Sequence, residues 1–195
     1  MCLISHMTTR TSESRSTADA QRERITAAAV TVFARMGYHS TPVADVALAA
    51  GVSPAYVFRL FPGKLGVFVA AVERCYALVA AVLTEAGERA ESADATARLA
   101  AASDAYVDLI ADRDLIMLQV HAQSACEVPE IRAAVQRGIS TIVRSVKVAT
   151  GAEDPAIQQF LAYGQLCHLI VQADLDGVDA EWARTVTAGM RHPGR

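Results

Sequence analysis

The stretch "DVALAAGVSPAYVFRLFPGK", residues 45–64, contains two short apolar helical segments that are separated by a tight corner. Gly51 interrupts the first segment, and Ser53-Pro54 supplies the N-cap and the first-position proline that often start a helix. The second segment has an aliphatic face and an opposite face that carries Tyr56 and Arg59. This is the pattern of a helix-turn-helix, whose second helix projects into a DNA major groove. Any small three-helix domain needs a similar corner, so the pattern by itself leaves a purely structural role open.

The composition of the 195-residue chain predicts an all-α protein. Apolar residues make up 52% of it, which argues against a disordered chain. Alanine, the best helix former, is abundant, whereas glycine and proline fall mostly between apolar blocks. No uninterrupted apolar run reaches about 18 residues, so we expect no membrane span. The four cysteines are far apart and match no metal-ligand spacing, so we expect a cytoplasmic protein without a metal or another cofactor.

The breaks between apolar blocks divide the chain into three regions. Residues 1–19 are rich in Ser and Thr and are predicted to form a flexible tail. Residues 20–64 are predicted to form the helix-turn-helix domain, and residues 65–195 a larger helical body. Residues 1–64 carry seven Lys and Arg against four Asp and Glu, a net charge of +3, whereas the remainder carries eleven against seventeen, a net charge of −6. This asymmetry favours different partners for the two parts of the chain.

Capping residues and apolar spacing predict the helix boundaries. The first helix starts near Ala20 and ends at Gly37, a residue type that commonly caps helix C-termini. Thr41 is predicted to cap the second helix, with Pro42 at its first position. One long amphipathic helix is predicted from Pro62-Gly63 onward, followed by helices at about 95–111, 114–126, 129–149, 154–175 and 180–190.

The segment "RERITAAAVTVFARMGYHSTPVADVALAAGVSPAYVFRLFPGKLGVFVAAV" resembles the DNA-binding domain of the tetracycline-repressor (TetR) family. About fifty continuous residues match in order. The matching features are Arg24-Ile25, Phe33, Gly37-Tyr38, Thr41, Asp45-Val46-Ala47, Ala50-Gly51-Val52-Ser53, Phe61 and Lys64. The resemblance implies an N-terminal helix-turn-helix domain and a C-terminal ligand-binding and dimerisation domain. It further implies a homodimer through the last two helices, whose two recognition helices read the half-sites of a palindromic double-stranded operator.

The resemblance also implies which residues face DNA. The positions that match DNA-facing positions of the family are Ser53, Pro54, Ala55, Tyr56, Phe58 and Leu60, and those that match phosphate contacts are Thr41 and Lys64. Phe58 stands where the family usually has Tyr, so one hydroxyl is missing. From the residues themselves, Arg59 is the long cation of the third helix, and we expect it to bind a phosphate rather than guanine. The apolar Pro54 and Ala55 suit thymine methyl groups.

Neutral polar residues interrupt the apolar helices of the body. The candidates for contact with a small-molecule effector are Tyr106, Gln119, His121, Gln123, Gln165 and His168. A mostly apolar pocket with a few oriented polar groups is typical of ligand sites. A hydrated helix face or a polar seam in the dimer interface would give the same pattern, and both alternatives stay open.

The favoured hypothesis is a transcriptional repressor that leaves its operator when it binds a small, largely apolar ligand. The alternatives are a DNA-binding protein of the same fold that senses no ligand, and an activator. We expect no enzymatic activity, because the sequence has no Gly-rich phosphate loop, nucleophile elbow or metal-binding pair.

Overall fold

Three helices near the N-terminus surround the predicted corner. In the computed structural model, which describes the backbone of residues 5–91 and 94–189 and the side chains of residues 17–91 and 94–189, they are α1 (Ser5–Ser40), α2 (Val43–Ala49) and α3 (Pro54–Leu60). Gly37 interrupts α1 with a left-handed φ of 73°, which confirms the predicted break at this glycine. The first helix starts at Ser5, about 15 residues before the predicted start near Ala20, so it includes most of the segment that was predicted to be a tail. The flexibility of that segment stays a prediction.

The start of α2 differs from the sequence prediction by one residue. The helix begins at Val43, and Pro42 occupies the N-cap position in an extended conformation with no side-chain cap. Thr41 was predicted to be this cap, and that prediction is wrong. Its side chain is only 1% exposed, and its hydroxyl has no hydrogen-bond partner. The proline places the helix start one residue later, so the threonine hydroxyl does not reach the free amides of α2.

The larger body consists of six helices within the described residues. They are α4 (Gly63–Arg89), α5 (Ala95–Leu109), α6 (Arg113–Ser124), α7 (Pro129–Thr150), α8 (Asp154–Ala173) and α9 (Glu181–Thr187). A 3₁₀ turn, Leu175–Gly177, joins α8 to α9. The described ranges contain no strand, so the all-α prediction is confirmed. Each predicted body helix is present, with ends shifted by only a few residues.

The long helix α4 belongs to both parts of the molecule. Its Phe68 is fully buried and meets Phe33 of α1 edge-on, with ring centroids 4.8 Å apart. Tyr38 also packs against Phe68, with ring centroids 5.1 Å apart. Farther along, α4 packs against α7 so closely that a Cβ on Gly138 would lie 2.2 Å from Cγ of Tyr76. One rigid helix therefore connects the helix-turn-helix domain to the core of the body.

Among the described residues, α4 is the one unbroken helix whose length and apolar composition would suit a membrane span. Of its most apolar stretch, 44% is buried inside the protein. The core helix of a folded helical body has the same composition, and the packing of α4 against α1 and α7 accounts for it.

Candidate nucleic-acid interface and ligand cavity

Helix α3 starts with the capping chemistry that the sequence predicts. The hydroxyl oxygen of Ser53 accepts a hydrogen bond from the backbone amide of Tyr56 at 3.2 Å, and Pro54 is the first helical residue. This cap satisfies one of the four free amides at the helix start. The hydroxyl proton of Ser53 is not used in this bond, and the side chain is exposed. Ser53 therefore fixes the start of the helix while its hydroxyl stays available for a further contact.

Most of the residues predicted to face DNA lie on the outer face of α3. The exposed ones are Ser53, Pro54, Ala55, Phe58 and Arg59, and Tyr56 is partly exposed. Leu60 is 8% exposed because it follows Val57 by three residues and shares its buried face. The side chains of Leu60 and Thr41 are covered in this conformation, so their predicted DNA contacts stay predictions and require the side chains to move.

Cations lie around the corner and are held by defined contacts. The Arg59 guanidinium lies over the ring of Tyr56, 4.4 Å from its centroid. Lys64 donates a hydrogen bond to the carbonyl oxygen of His39 at 2.9 Å and lies 5.0 Å from the Tyr38 ring. Arg24 donates to the carbonyl oxygen of Gly51 at 3.4 Å. These contacts hold three positive charges close to the recognition helix and to the corner before it.

Residues 25–71, which span this corner and the start of α4, match the family described as "Bacterial regulatory proteins, tetR family". Residues 25–71 form a DNA-binding domain of the TetR family. The match confirms the resemblance of the N-terminal domain and makes it the domain of a DNA-binding regulator.

Solved structures of transcriptional regulators share the fold over nearly the whole chain. A transcriptional regulator FadR from Bacillus subtilis, in complex with stearoyl-CoA, has a TM-score of 0.66 at 20% identity and covers 87% of this chain and 99% of its own. TetR-family regulators from Agrobacterium tumefaciens and Marinobacter aquaeolei have TM-scores of 0.64 and 0.61 at 18% and 20% identity. Each of these two covers 88% of this chain and 94% of its own. No match was found among the curated proteins.

Two neighbouring cavities lie in the TetR-type body. The inner cavity, of about 50 Å³, is enclosed by five helices, α4 to α8, and is lined by apolar residues together with Tyr76, Tyr106, Gln119 and Gln165. An open groove of about 640 Å³ runs between α5, α8 and α9. Tyr106 and Phe160 line both spaces, with ring centroids 6.3 Å apart. These two rings therefore form the wall between the inner cavity and the groove.

A buried hydrogen bond fixes the orientation of this wall. The Tyr106 hydroxyl lies 2.8 Å from Nε2 of His168, and both side chains are buried. Burial lowers the pKa of His168 to about 4 and raises that of the Tyr106 hydroxyl well above its usual range. Both groups are therefore neutral at pH 7. Nδ1 of His168 is buried without a partner, so the pair retains unused hydrogen-bonding capacity.

The structure separates the six predicted ligand residues into three groups. Tyr106, Gln119 and Gln165 line the inner cavity, and His168 forms a hydrogen bond with the Tyr106 hydroxyl. His121 and Gln123 line neither cavity. Two aromatic residues of α8 that line the groove, Phe160 and Tyr163, were not predicted from helix periodicity. Their spacing beside Gly164 in "FLAYG" was a usable signal.

His121 instead lies at the contact between the body and the helix-turn-helix domain. Its ring covers Gly37, where a Cβ atom would be only 2.8 Å from Nδ1 of His121. Beyond the end of α6, Glu127 is paired with His39 at 2.8 Å. Its own backbone amide and this imidazole hold the pKa of the Glu127 carboxyl below its usual range. The C-terminal end of α6 thus touches the domain at the turn where α1 ends.

Proposed function

We propose that the protein is a homodimeric transcriptional repressor that binds a palindromic operator and is released by a small, largely apolar effector. The observation that carries the proposal is the exposed face of α3 in a domain of the TetR family. Ser53 caps the start of this helix, and cations lie close to it. An exposed recognition helix with cations around it suits a DNA groove lined by phosphates. Because operator DNA is in the bacterial cytoplasm, we place the protein there.

Exposed apolar side chains on the last two helices support the dimer. Leu169 of α8 is 51% exposed, and Trp182 of α9 is 57% exposed. Large apolar side chains that stay exposed on neighbouring helices are typical of interaction sites. We propose that a second copy covers them, and that the resulting two-fold symmetry presents two α3 helices to one duplex.

The lining of the inner cavity supports a neutral effector. Its polar groups are phenol and amide side chains, and none of the residues that line it is charged. A volume of about 50 Å³ is far below the roughly 300–1,000 Å³ of usual ligand sites. We propose that the effector enters from the groove and displaces the Tyr106–Phe160 wall, which joins the two spaces. The B. subtilis FadR structure, which holds stearoyl-CoA, supports an effector with a long apolar part.

Helix α6 links this cavity to the DNA-binding domain. Gln119 lines the cavity, while His121, two residues later, contacts Gly37 of α1. A shift of α6 on effector binding therefore changes the contact that positions the domain. The effector acts only through its preference for the conformation that does not bind DNA. A hundredfold loss of operator affinity requires a preference of about 2.7 kcal/mol.

The small inner cavity also favours a second candidate function. A cavity of about 50 Å³ holds only a water molecule or two. A DNA-binding protein of this fold that senses no ligand would have such a body. Titration of the operator complex with apolar compounds discriminates the two, because only the first candidate releases DNA.

The salt dependence of DNA binding tests the proposed interface. We expect log K to fall linearly with log[salt], and Arg59→Ala and Lys64→Ala each to reduce the slope by about 0.9 per lost phosphate contact, or about 1.8 per dimer. Fluorescence anisotropy with a labelled duplex between 50 and 300 mM salt, concentrations chosen to span the screening range, measures it. Arg144→Ala, which removes an exposed cation of α7, is the matched control and should leave the slope unchanged. Equal slopes for all four proteins would contradict the proposed interface.

A further inference from the structure

The outer face of α3 has an apolar centre. At about 100° per residue, Pro54, Phe58, Ala55 and Arg59 follow one another around the helix within an arc of about 140°. All four are exposed, and Phe58 is 54% exposed. Phe58 and Ala55 are three residues apart and occupy the middle of the arc, where neighbouring side chains on one helix face touch. The part of the helix that projects farthest outward is therefore a methyl group and a phenyl ring.

The same face has few groups that read bases by hydrogen bonding. Such readout uses Arg or Lys on guanine and Asn or Gln on adenine. Within α3, all of whose side chains are described, Arg59 is the one residue of these types. It lies at the edge of the arc, stacked on Tyr56 at 4.4 Å. The centre of the face can thus distinguish bases only by apolar contact, and the apolar group of the major groove is the C5-methyl of thymine.

We propose that Phe58, with Ala55 beside it, reads thymine methyl groups at the centre of each operator half-site. This inference rests on the proposed function, because it names the DNA sequence that the same helix recognises. Charge complementarity favours DNA as the occupant of this face. Arg59 lies at the edge of this apolar centre, and Lys64, four residues after the end of α3, adds a second cation, so both can bind phosphates of the duplex. Phe58 is then a specificity-determining residue.

Substitution of thymine by uracil tests this role, because it removes the methyl group and keeps the base pair. The duplex is one that the wild-type protein selects from random sequence, with each thymine replaced in turn. We expect about fourfold weaker binding for each contacted methyl group that is removed, because this is the affinity that burial of one methyl group contributes. Methylation of a cytosine placed at the same position should recover part of this loss. For the Phe58→Ala protein, the affinity for the duplex with thymine at the contacted position should be about equal to the affinity for the duplex with uracil there, so that their ratio falls to about one.

Matched controls separate this effect from general damage to the protein. Val148→Ala removes an apolar side chain that is 82% exposed on α7, and it should retain the wild-type ratio at every position. Phe58→Leu keeps an apolar side chain and should retain part of the ratio. Circular dichroism establishes that each variant is folded before binding is measured.

The outcomes distinguish this inference from the proposed function. A selected duplex whose affinity is unchanged by uracil at every thymine overturns the role of Phe58 and leaves the regulator assignment standing. A uracil effect of the same size in Phe58→Ala and wild type also overturns it. Failure to select any duplex overturns the proposed function and the inference together.

Discussion

Replacement of Phe68 by alanine will lower the free energy of unfolding by about 3–5 kcal/mol, the range for deletion of a fully buried phenyl ring. Phe68 is 0% exposed and packs edge-on against Phe33 and tilted against Tyr38. The substitution leaves a cavity where α4 meets α1, since rigid helices cannot collapse fully into it. Urea unfolding followed by far-UV circular dichroism measures the change.

Phe58→Ala is the matched control, because the same atoms are removed from a side chain that is 54% exposed. We expect it to change the unfolding free energy by no more than about 0.5 kcal/mol. A loss below about 1 kcal/mol in Phe68→Ala would contradict the packing between α1 and α4 described above. Because Phe68 lies where the domain joins the body, partly unfolded Phe68→Ala should also bind DNA less well.

Acid will destabilise the protein through His168 between about pH 6.5 and pH 4. Burial lowers the folded-state pKa of this imidazole from 6.5 to about 4, so below pH 6.5 the unfolded chain binds a proton that the folded chain does not. Stability is therefore complete above pH 6.5 and falls as the pH decreases towards 4. The full loss is about 3 kcal/mol at 1.36 kcal/mol per pKa unit.

His168→Gln removes this titration while the amide still offers Tyr106 a hydrogen-bond partner. Its unfolding free energy should vary less between pH 6.5 and pH 4 than that of wild type. His39→Gln, at a side chain that is 67% exposed, should retain the decrease that His168 causes, so its unfolding free energy should fall more steeply with acid than that of His168→Gln. Urea unfolding at four pH values in this interval gives the comparison. Parallel curves for His168→Gln and wild type would show that the buried imidazole is not the cause.

Local chemistry made most of the fold predictable from sequence. Ser53-Pro54 and Gly37 act on their own chain neighbours, so their effect on helix ends can be read from the sequence alone. The prediction that Thr41 caps α2 was wrong because Pro42 also fits the N-cap position. The choice between the two residues depends on how the threonine side chain is buried. Leu60 was placed on the DNA side by resemblance, whereas its helical register with Val57 places it in the core.

The candidate ligand site was less predictable because it depends on contacts between distant segments. Neutral polar residues within apolar helices are uncommon, and this signal pointed to Tyr106, Gln119 and Gln165, which line the inner cavity. The hydrogen bond between Tyr106 and His168 joins residues 62 positions apart, and the His39–Glu127 pair joins residues 88 apart. His121 lies at Gly37 rather than in either cavity, so its predicted ligand contact stays a prediction. Helix periodicity gives no means to foresee which neighbour a polar side chain meets.

Selection of bound sequences from random duplex DNA is the most direct test of the proposed function. A two-fold dimer with two α3 helices should enrich a palindrome whose half-site centres lie about 10 base pairs apart or a multiple of that spacing. Arg59→Ala and Lys64→Ala should bind the enriched duplex more weakly. Absence of enrichment at low salt, or a single site without a second half, would contradict a dimeric operator-binding regulator.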